Sequence, residues 1–144
     1  MPTRVLIVDD DAVIRGLLLR IIEEHPDWSV CGEAVNGFDA IGEVQKLTPD
    51  VVVMDLAMPR MNGIQAAREI SRLAPELPML LLTVQQVEKE LVSEARNAGF
   101  RGAVSKSTGS EVVKGIEALL RKENFFCAGD PVSAACLGWC RDFL

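Results

Sequence analysis

The sequence lacks the features that mark several large classes of protein. No apolar run in its 144 residues approaches the roughly 18 that a membrane-spanning helix needs. The beginning, MPTRVLIVDDD, lacks the long apolar segment of a signal peptide, so we expect a cytoplasmic protein that acts outside membranes. The cysteines form no paired CxxC units, which disfavours a zinc site, and they are expected to be reduced thiols: Cys31, Cys127, Cys136 and Cys140.

Cationic residues are also in the minority. The chain has 15 Lys and Arg against 21 Asp and Glu, a formal net charge of −6 at pH 7. Because phosphate backbones are held mainly by Lys and Arg, this balance argues against a general nucleic-acid-binding protein. What the chain does have is an ordinary globular composition, with 49% apolar and 25% charged residues. At this length we expect one domain with a hydrophobic core.

Short apolar runs alternate five times with longer amphipathic stretches. The runs are typical of strands buried on both faces, and they predict strands at residues 5–8, 29–34, 51–54, 79–82 and 102–105. Helical spacing of apolar residues predicts helices after Asp11, at 38–47, 62–73 and 87–98, and after a capping box at Thr108–Glu111. This (βα)5 alternation predicts an α/β fold, a doubly wound parallel sheet of strand order 2-1-3-4-5.

The periodic pattern ends near residue 122. The segment ENFFCAGDPVSAACLGWCRDFL, residues 123–144, contains aromatic residues, Gly, Pro and Cys but shows no long period. We therefore expect a domain over residues 1–122, followed by a C-terminal tail over residues 123–144. The tail is either a short docking segment or the remnant of a linker, and the sequence leaves both interpretations open.

Acidic residues follow the first and third predicted strands. The first strand leads into Asp9-Asp10-Asp11, and the third leads into Asp55. In a doubly wound sheet these two strands flank the crevice at which strand order reverses, where ligands bind. Carboxylates brought this close repel one another unless a counter-ion is present. A hard divalent cation with oxygen ligands satisfies them, and Mg²⁺, which commonly uses one or two carboxylates, fits best.

Two further polar residues follow the fourth and fifth predicted strands. Thr83 and Lys106 reach the same edge of the sheet as the carboxylates. A lysine supplies a compact positive charge for phosphate oxygens, and a threonine hydroxyl is a donor that can rotate toward them. Asp55 then becomes a candidate nucleophile, since carboxylates form aspartyl-phosphate intermediates. Each of these residues alone would be uninformative, but four strand ends that converge on one crevice favour a phosphoryl-binding site.

The motifs at these strand ends resemble one known family. The stretches VLIVDDD, MDLAMPRMNG, LLLT and GAVSK are similar, in this order, to segments of the response regulator receiver domain of two-component signalling. The resemblance extends from about Arg4 to Arg121 and implies the chemotaxis-receiver variant of the flavodoxin-like fold. The stretches GIQAAREI and AGFRGAVSKSTGS are most similar to receivers of LuxR/NarL-type transcription regulators.

The resemblance implies a role for each site residue. Asp55 would accept a phosphoryl group from a sensor histidine kinase, a phosphotransfer protein or a small phosphodonor. Mg²⁺ would be bound by Asp10, Asp55 and the backbone carbonyl of Ala57, with Asp9 acting through water. Thr83 and Lys106 would contact the phosphoryl group. The output would be protein binding, to a partner or to a second copy, through the surface of the fourth helix, fifth strand and fifth helix.

The sequence departs from the family pattern at two places. Receivers usually carry a Tyr or Phe at or near the position of Ala103, and this aromatic changes its burial when the switch threonine moves. Phe100 is a candidate substitute for it. LuxR/NarL-type regulators also carry a helix-turn-helix domain after the receiver, whereas this chain ends at Leu144. We therefore expect a stand-alone receiver that does not bind DNA directly.

Two alternative functions remain open. Asp9-Asp10-Asp11-Ala12-Val13 fits the DxDx(T/V) pattern of haloacid-dehalogenase-like phosphatases, with Asp9 as nucleophile and Asp11 as acid/base. That function would need a later acidic pair and leaves Asp55 and Pro59 unexplained. The other alternative is a pseudo-receiver, a binding module that keeps the fold without using phosphate. Ala103 favours this alternative, while the complete set of site residues argues against it.

Overall fold

The computed structural model describes residues 2–84, 87–106 and 109–126 of the chain. Helices and strands alternate along them. The strands are β1 (Thr3–Val8), β2 (Trp28–Ala34), β3 (Val51–Asp55), β4 (Met79–Thr83), β5 (Gly102–Ser105) and β6 (Phe125–Phe126). The helices are α1 (Ala12–Glu23), α2 (Gly37–Leu47), α3 (Gly63–Leu73), α4 (Lys89–Ala98) and α5 (Gly109–Leu120). The predicted (βα)5 alternation is confirmed.

The strands form a single parallel sheet. Their order is β2-β1-β3-β4-β5-β6, so the predicted order 2-1-3-4-5 is confirmed and one strand is added beyond β5. The added strand, β6, pairs Phe125 with Gly102 and Phe126 with Ala103. Sequence reasoning missed it because two residues are too few to show a period. The rest of the predicted tail, residues 127–144, lies outside the described residues.

Local capping interactions set where the helices begin. Asp11 precedes α1 and its side chain accepts hydrogen bonds from the N–H groups of Val13 and Ile14. Asn62 precedes α3 and forms a reciprocal capping box with Gln65, which satisfies two backbone donors at the helix start. The helix predicted from residue 87 begins at Lys89 instead, because the backbone at Glu88 is extended. The predicted cap at Thr108 lies outside the described residues.

Both faces of the sheet are buried, which explains why its strands read as continuous apolar runs. Alternate residues of β3 point to opposite faces: Val52 and Met54 belong to the cluster that includes α2, α3 and α4, while Val51 and Val53 belong to the cluster with α1 and α5. The helices therefore cover both faces, as a doubly wound sheet requires. Among the described residues, no helix combines the length and apolarity needed to cross a membrane.

We expect helix α3 to show how much stability the core supplies. Ile70 is fully buried, so Ile70→Ala should lower the free energy of unfolding by about 2–5 kcal/mol through lost burial and a cavity. Leu73, in the same helix, is 51% exposed, and Leu73→Ala should change stability by about 0.5 kcal/mol or less. Equilibrium unfolding in urea measures both. Equal losses in the two variants would contradict this assignment of the buried face.

Candidate functional site

The predicted site residues meet at the carboxyl edge of the sheet. Asp55 and Thr83 are the last residues of β3 and β4, while Asp9 and Lys106 directly follow β1 and β5. These four strands are consecutive neighbours in the sheet. Parallel pairing therefore brings all four residues to one edge, as the sequence predicted. The ends of β4 and β5 are also tied together, because the Lys106 N–H donates to the Thr83 carbonyl at 2.9 Å.

An ion-pair cluster lies at the centre of this edge. The Lys106 Nζ is 2.8 Å from Asp9 Oδ2 and 3.0 Å from Asp55 Oδ1. Asp9 is 0% exposed and Asp55 is 4% exposed, while Lys106 is mostly buried. Two carboxylates removed from water need a positive partner, and one ammonium group serves both. The cluster therefore holds three strand ends in a fixed arrangement.

Charge and burial shift the pKa of Asp55 and of Lys106. Burial raises the pKa of Asp55, and the Asp9 carboxylate adds to this, although hydrogen bonds from Lys106 and from the Ala57 backbone favour the charged form. Burial by itself would lower the pKa of Lys106. Its hydrogen bonds and charge interactions with Asp9 and Asp55 outweigh burial, so the pKa of Lys106 is raised above its ordinary value. The lysine therefore stays protonated at neutral pH.

An acidic cluster beside the lysine offers ligands for a metal ion. Asp9, Asp10 and Asp55 each present a carboxylate oxygen, and these oxygens lie within 4.8 Å of one another. Asp10 is exposed, so the cluster opens to solvent on its side. Carboxylate oxygens are ligands for hard divalent cations. The donor set fits such an ion.

The backbone around Asp9 is fixed by a residue that sequence reasoning missed. Arg15 Nη1 donates to the Asp9 carbonyl at 2.7 Å, and Arg15 Nε pairs with Glu33 at 3.0 Å. Asp9 Oδ1 also accepts the Asp11 N–H at 2.9 Å. Arg15 lies one helical turn after Asp11, but an arginine there is common on a solvated helix face. The sequence carried no signal that would distinguish it.

The Asp11 side chain caps helix α1. Its Oδ1 accepts from the Val13 N–H at 2.8 Å and from the Ile14 N–H at 3.4 Å, so it caps α1. The phosphatase alternative assigns proton transfer to this carboxylate. Its use as a helix cap argues against that alternative.

The loop after Asp55 is shaped by a close backbone approach. A Cβ on Gly63 would collide with the Asp55 carbonyl oxygen, so only glycine fits where the chain enters α3. The Gly63 N–H donates to the Leu56 carbonyl at 2.9 Å, which closes the loop over residues 57–62. Ala57, in this loop, is exposed and its backbone lies beside the Asp55 carboxylate. The loop therefore returns the chain to a helix while its backbone contacts the candidate acceptor.

The remaining predicted residues lie near the site or outside the described chain. Thr83 is buried, and Val84 directly after it is 79% exposed. Gln85, two residues after Thr83 in the sequence, lies outside the described residues. Ala103 is fully buried, and both Phe100 and Phe126 belong to the same buried cluster. Two aromatic rings therefore belong to the cluster that contains Ala103, one of them from the unpredicted strand β6.

Comparisons with known proteins agree with this geometry. A family model described as the response regulator receiver domain matches residues 5–120. A protein-glutamate methylesterase/protein-glutamine glutaminase of Treponema denticola is 34% identical over 109 residues, which is 75% of this chain and 29% of that protein. The chain thus spans less than a third of the length of this curated relative.

Solved structures extend the similarity over the whole fold. A LuxR-family two-component response regulator from Aurantimonas sp. SI85-9A1 is 32% identical, with a TM-score of 0.85 and coverage of 99% of each chain. The signal receiver domain of the putative response regulator NarL from Mycobacterium tuberculosis is 31% identical, with a TM-score of 0.74, covering 83% of this chain and 97% of that one. The expected similarity to LuxR- and NarL-type receivers is confirmed. With the fold, the strand-end residues and the family match in agreement, the chain belongs to the response regulator receiver family.

Proposed function

We propose that this receiver is a phosphorylation switch in which Asp55 accepts a phosphoryl group. The donor would be the phosphohistidine of a sensor histidine kinase or phosphotransfer protein, or a small phosphodonor. The observation that carries the proposal is the placement of the Asp55 carboxylate, which lies 3.0 Å from the Lys106 ammonium and within the acidic cluster. A candidate acceptor, a cation and a set of candidate metal ligands thus lie close together.

The chemical step requires Asp55 as a nucleophile. A carboxylate oxygen of Asp55 forms a bond to phosphorus while the bond from phosphorus to the imidazole nitrogen breaks. The leaving nitrogen keeps the electron pair, and the product is an acyl phosphate on Asp55. Lys106 Nζ already contacts Asp55 Oδ1, so a positive charge lies beside the oxygens that receive negative charge. Thr83, at the end of the adjacent strand, offers a hydroxyl to the same group.

Mg²⁺ is the proposed cofactor of this site. Asp10, Asp55 and the Ala57 backbone carbonyl would hold it, with Asp9 acting through water. When bound, the ion supplies positive charge that offsets the negative phosphoryl oxygens. The crowding of three carboxylates, of which Asp9 and Asp55 are buried, is the feature of this chain that favours a cation there.

Phosphorylation would alter the surface of α4, β5 and α5. A phosphoryl group adds roughly −1.5 to −2 charges with strong acceptor oxygens. Thr83 and Lys106 would be drawn toward it. Thr83 ends β4, the strand before α4, and Lys106 directly follows β5, the strand before α5. The hydrogen bond between their backbones makes the two strand ends move together. The output would be altered binding to a protein partner or to a second copy of the chain.

We expect acetyl phosphate with Mg²⁺ to phosphorylate the protein on Asp55. Intact-protein mass spectrometry should show a labile gain of one phosphoryl group, and Asp55→Asn should abolish it because the nucleophilic oxygen is lost. Asp50→Asn is a matched control, since Asp50 lies at the other end of β3, where it accepts the Arg4 N–H.

Three outcomes separate the candidate functions. Loss of the mass gain in Asp55→Asn alone supports the phosphorylation switch. Retention of the gain in Asp55→Asn would contradict the assignment of the acceptor. A wild-type protein that takes up no phosphoryl group, yet keeps a partner-dependent output, would favour the pseudo-receiver.

Mg²⁺ should stabilise the folded protein through the acidic cluster. A ligand that binds only the folded state adds about 2.7 kcal/mol at one hundred times its Kd. Thermal unfolding of the wild type should shift upward with added Mg²⁺, whereas Asp10→Asn should show a smaller shift because a ligand is lost. Asp27→Asn removes an exposed carboxylate far from the site and should behave as the wild type. Equal shifts in both variants would exclude Asp10 as a ligand.

A further inference from the structure

Strand β6 pairs with the outer edge of β5. Its register pairs Phe125 with Gly102 and Phe126 with Ala103, and the Phe125 N–H donates to the Arg101 carbonyl at 2.9 Å. Only four residues, 121–124, separate it from the end of α5. β6 is therefore a short strand held on the sheet by one neighbouring strand.

The surface beneath β6 is shaped to accept it. A Cβ on Gly102 would lie 2.7 Å from the Phe125 carbonyl oxygen, a distance too short for any other residue without movement of the backbone. On α5, a Cβ on Gly115 would lie 3.4 Å from the Phe125 ring, an ordinary van der Waals distance, so the ring packs against α5. Glycine at position 102 lets β6 approach β5 closely. The fit argues that the pairing is a built feature of the fold.

Phe126 connects β6 to helix α4. Its side chain is 0% exposed and belongs to the same buried cluster as Ala103 and Ala95. The Arg96 guanidinium lies 5.7 Å from the centre of the Phe126 ring, within the range of a cation–π interaction. Ala103 and Ala95 have small side chains, so the Phe126 ring is one of the large apolar groups in the cluster that β5 and α4 share. Movement of either element would disturb its packing.

The elements that hold β6 also lead to the phosphorylation site. β5 is four residues long, and Lys106 directly follows it. Lys106 is therefore only three residues after Ala103, which pairs with β6. Thr83 ends β4, and α4 is the next helix after it. A phosphoryl group on Asp55 would replace a carboxylate oxygen as a partner of the Lys106 ammonium, so the end of β5 would move. Because β6 is fitted closely to β5, such movement weakens its docking.

We propose that β6 is a switchable edge strand that is docked on β5 and α4 in the unphosphorylated protein and released when Asp55 is phosphorylated. This inference rests on the proposed function of Asp55. Release would expose the outer edge of β5 and the ring of Phe126, which is buried when β6 is docked. Strand β6 is thereby the element of the switch that moves.

Hydrogen exchange of residues 121–126 tests the release directly. The full chain is compared with Mg²⁺ alone and with Mg²⁺ plus acetyl phosphate, and the mass of the intact protein is recorded on the same samples. We expect the amides of this segment to exchange about 5-fold to 150-fold faster in the phosphorylated protein, the range of ordinary coupling between sites. Asp55→Asn should show no acceleration.

The paired measurement distinguishes two failures. If the wild type gains no phosphoryl group, the proposed function fails and the inference fails with it. If the phosphoryl group is present but exchange of residues 121–126 is unchanged or slower, the inference alone is overturned.

Reciprocity supplies a second test. If phosphorylation weakens the docking of β6, then weaker docking must favour the phosphorylated state by the same factor. Phe126→Ala should therefore bind beryllofluoride, a phosphoryl mimic, more tightly than the wild type in the presence of Mg²⁺. Arg96→Gln, which removes only the guanidinium over the ring, should shift the affinity in the same direction and is less disruptive to folding.

An exposed arginine elsewhere on the chain provides the control. Arg72, in α3, pairs with Glu69 at 2.9 Å, and both side chains are exposed. Arg72→Gln should leave the affinity for beryllofluoride at its wild-type value. Equal affinities in the wild type and Arg96→Gln, with Phe126→Ala also unchanged or unfolded, would overturn the proposal.

Discussion

The placement of one ammonium group between two buried carboxylates is the interaction on which the rest of the site depends. Lys106 lies 2.8 Å from Asp9 and 3.0 Å from Asp55, so it joins the ends of β5, β1 and β3. Without it, two buried negative groups would lie beside each other with no ammonium group between them. The same arrangement leaves Asp10 facing solvent and the acidic cluster accessible. Lys106, Asp9 and Asp55 thus balance the buried charge at this edge of the sheet, and they are also groups of the proposed phosphorylation site.

Much of this arrangement could be predicted from the sequence, for a simple physical reason. Strands buried on both faces must be apolar throughout, so the first polar residue after each run marks the edge of the sheet. That rule alone locates Asp9, Asp55 and Thr83. The fifth run ends in two polar residues, Ser105 and Lys106, and the second of them reaches the carboxylates. Parallel topology then placed all four at one edge, since every strand ends on the same side. The helices followed from their spacing and, for α1, from the cap Asp11.

The parts that sequence reasoning missed depend on contacts between distant segments. The pairing of Phe125 and Phe126 with β5 leaves no local period. Its clearest signal is Gly102, and a glycine at the start of a predicted strand does not by itself indicate a neighbouring strand. The hydrogen bond from Arg15 to the Asp9 backbone is similarly invisible, because the helix position alone does not show where the guanidinium lies. The start of α4 was placed two residues early because Val87 is apolar and buried without being helical.

The sixth strand also bears on where this domain should be considered to end. The family model stops at residue 120, five residues before β6 begins. A truncation at residue 122 would leave the backbone of β5 as an unpaired edge. Uncovered edges of this kind are templates for intermolecular strand pairing and aggregation. A domain boundary drawn after Phe126 would keep that edge covered, with two residues that lie outside the family match.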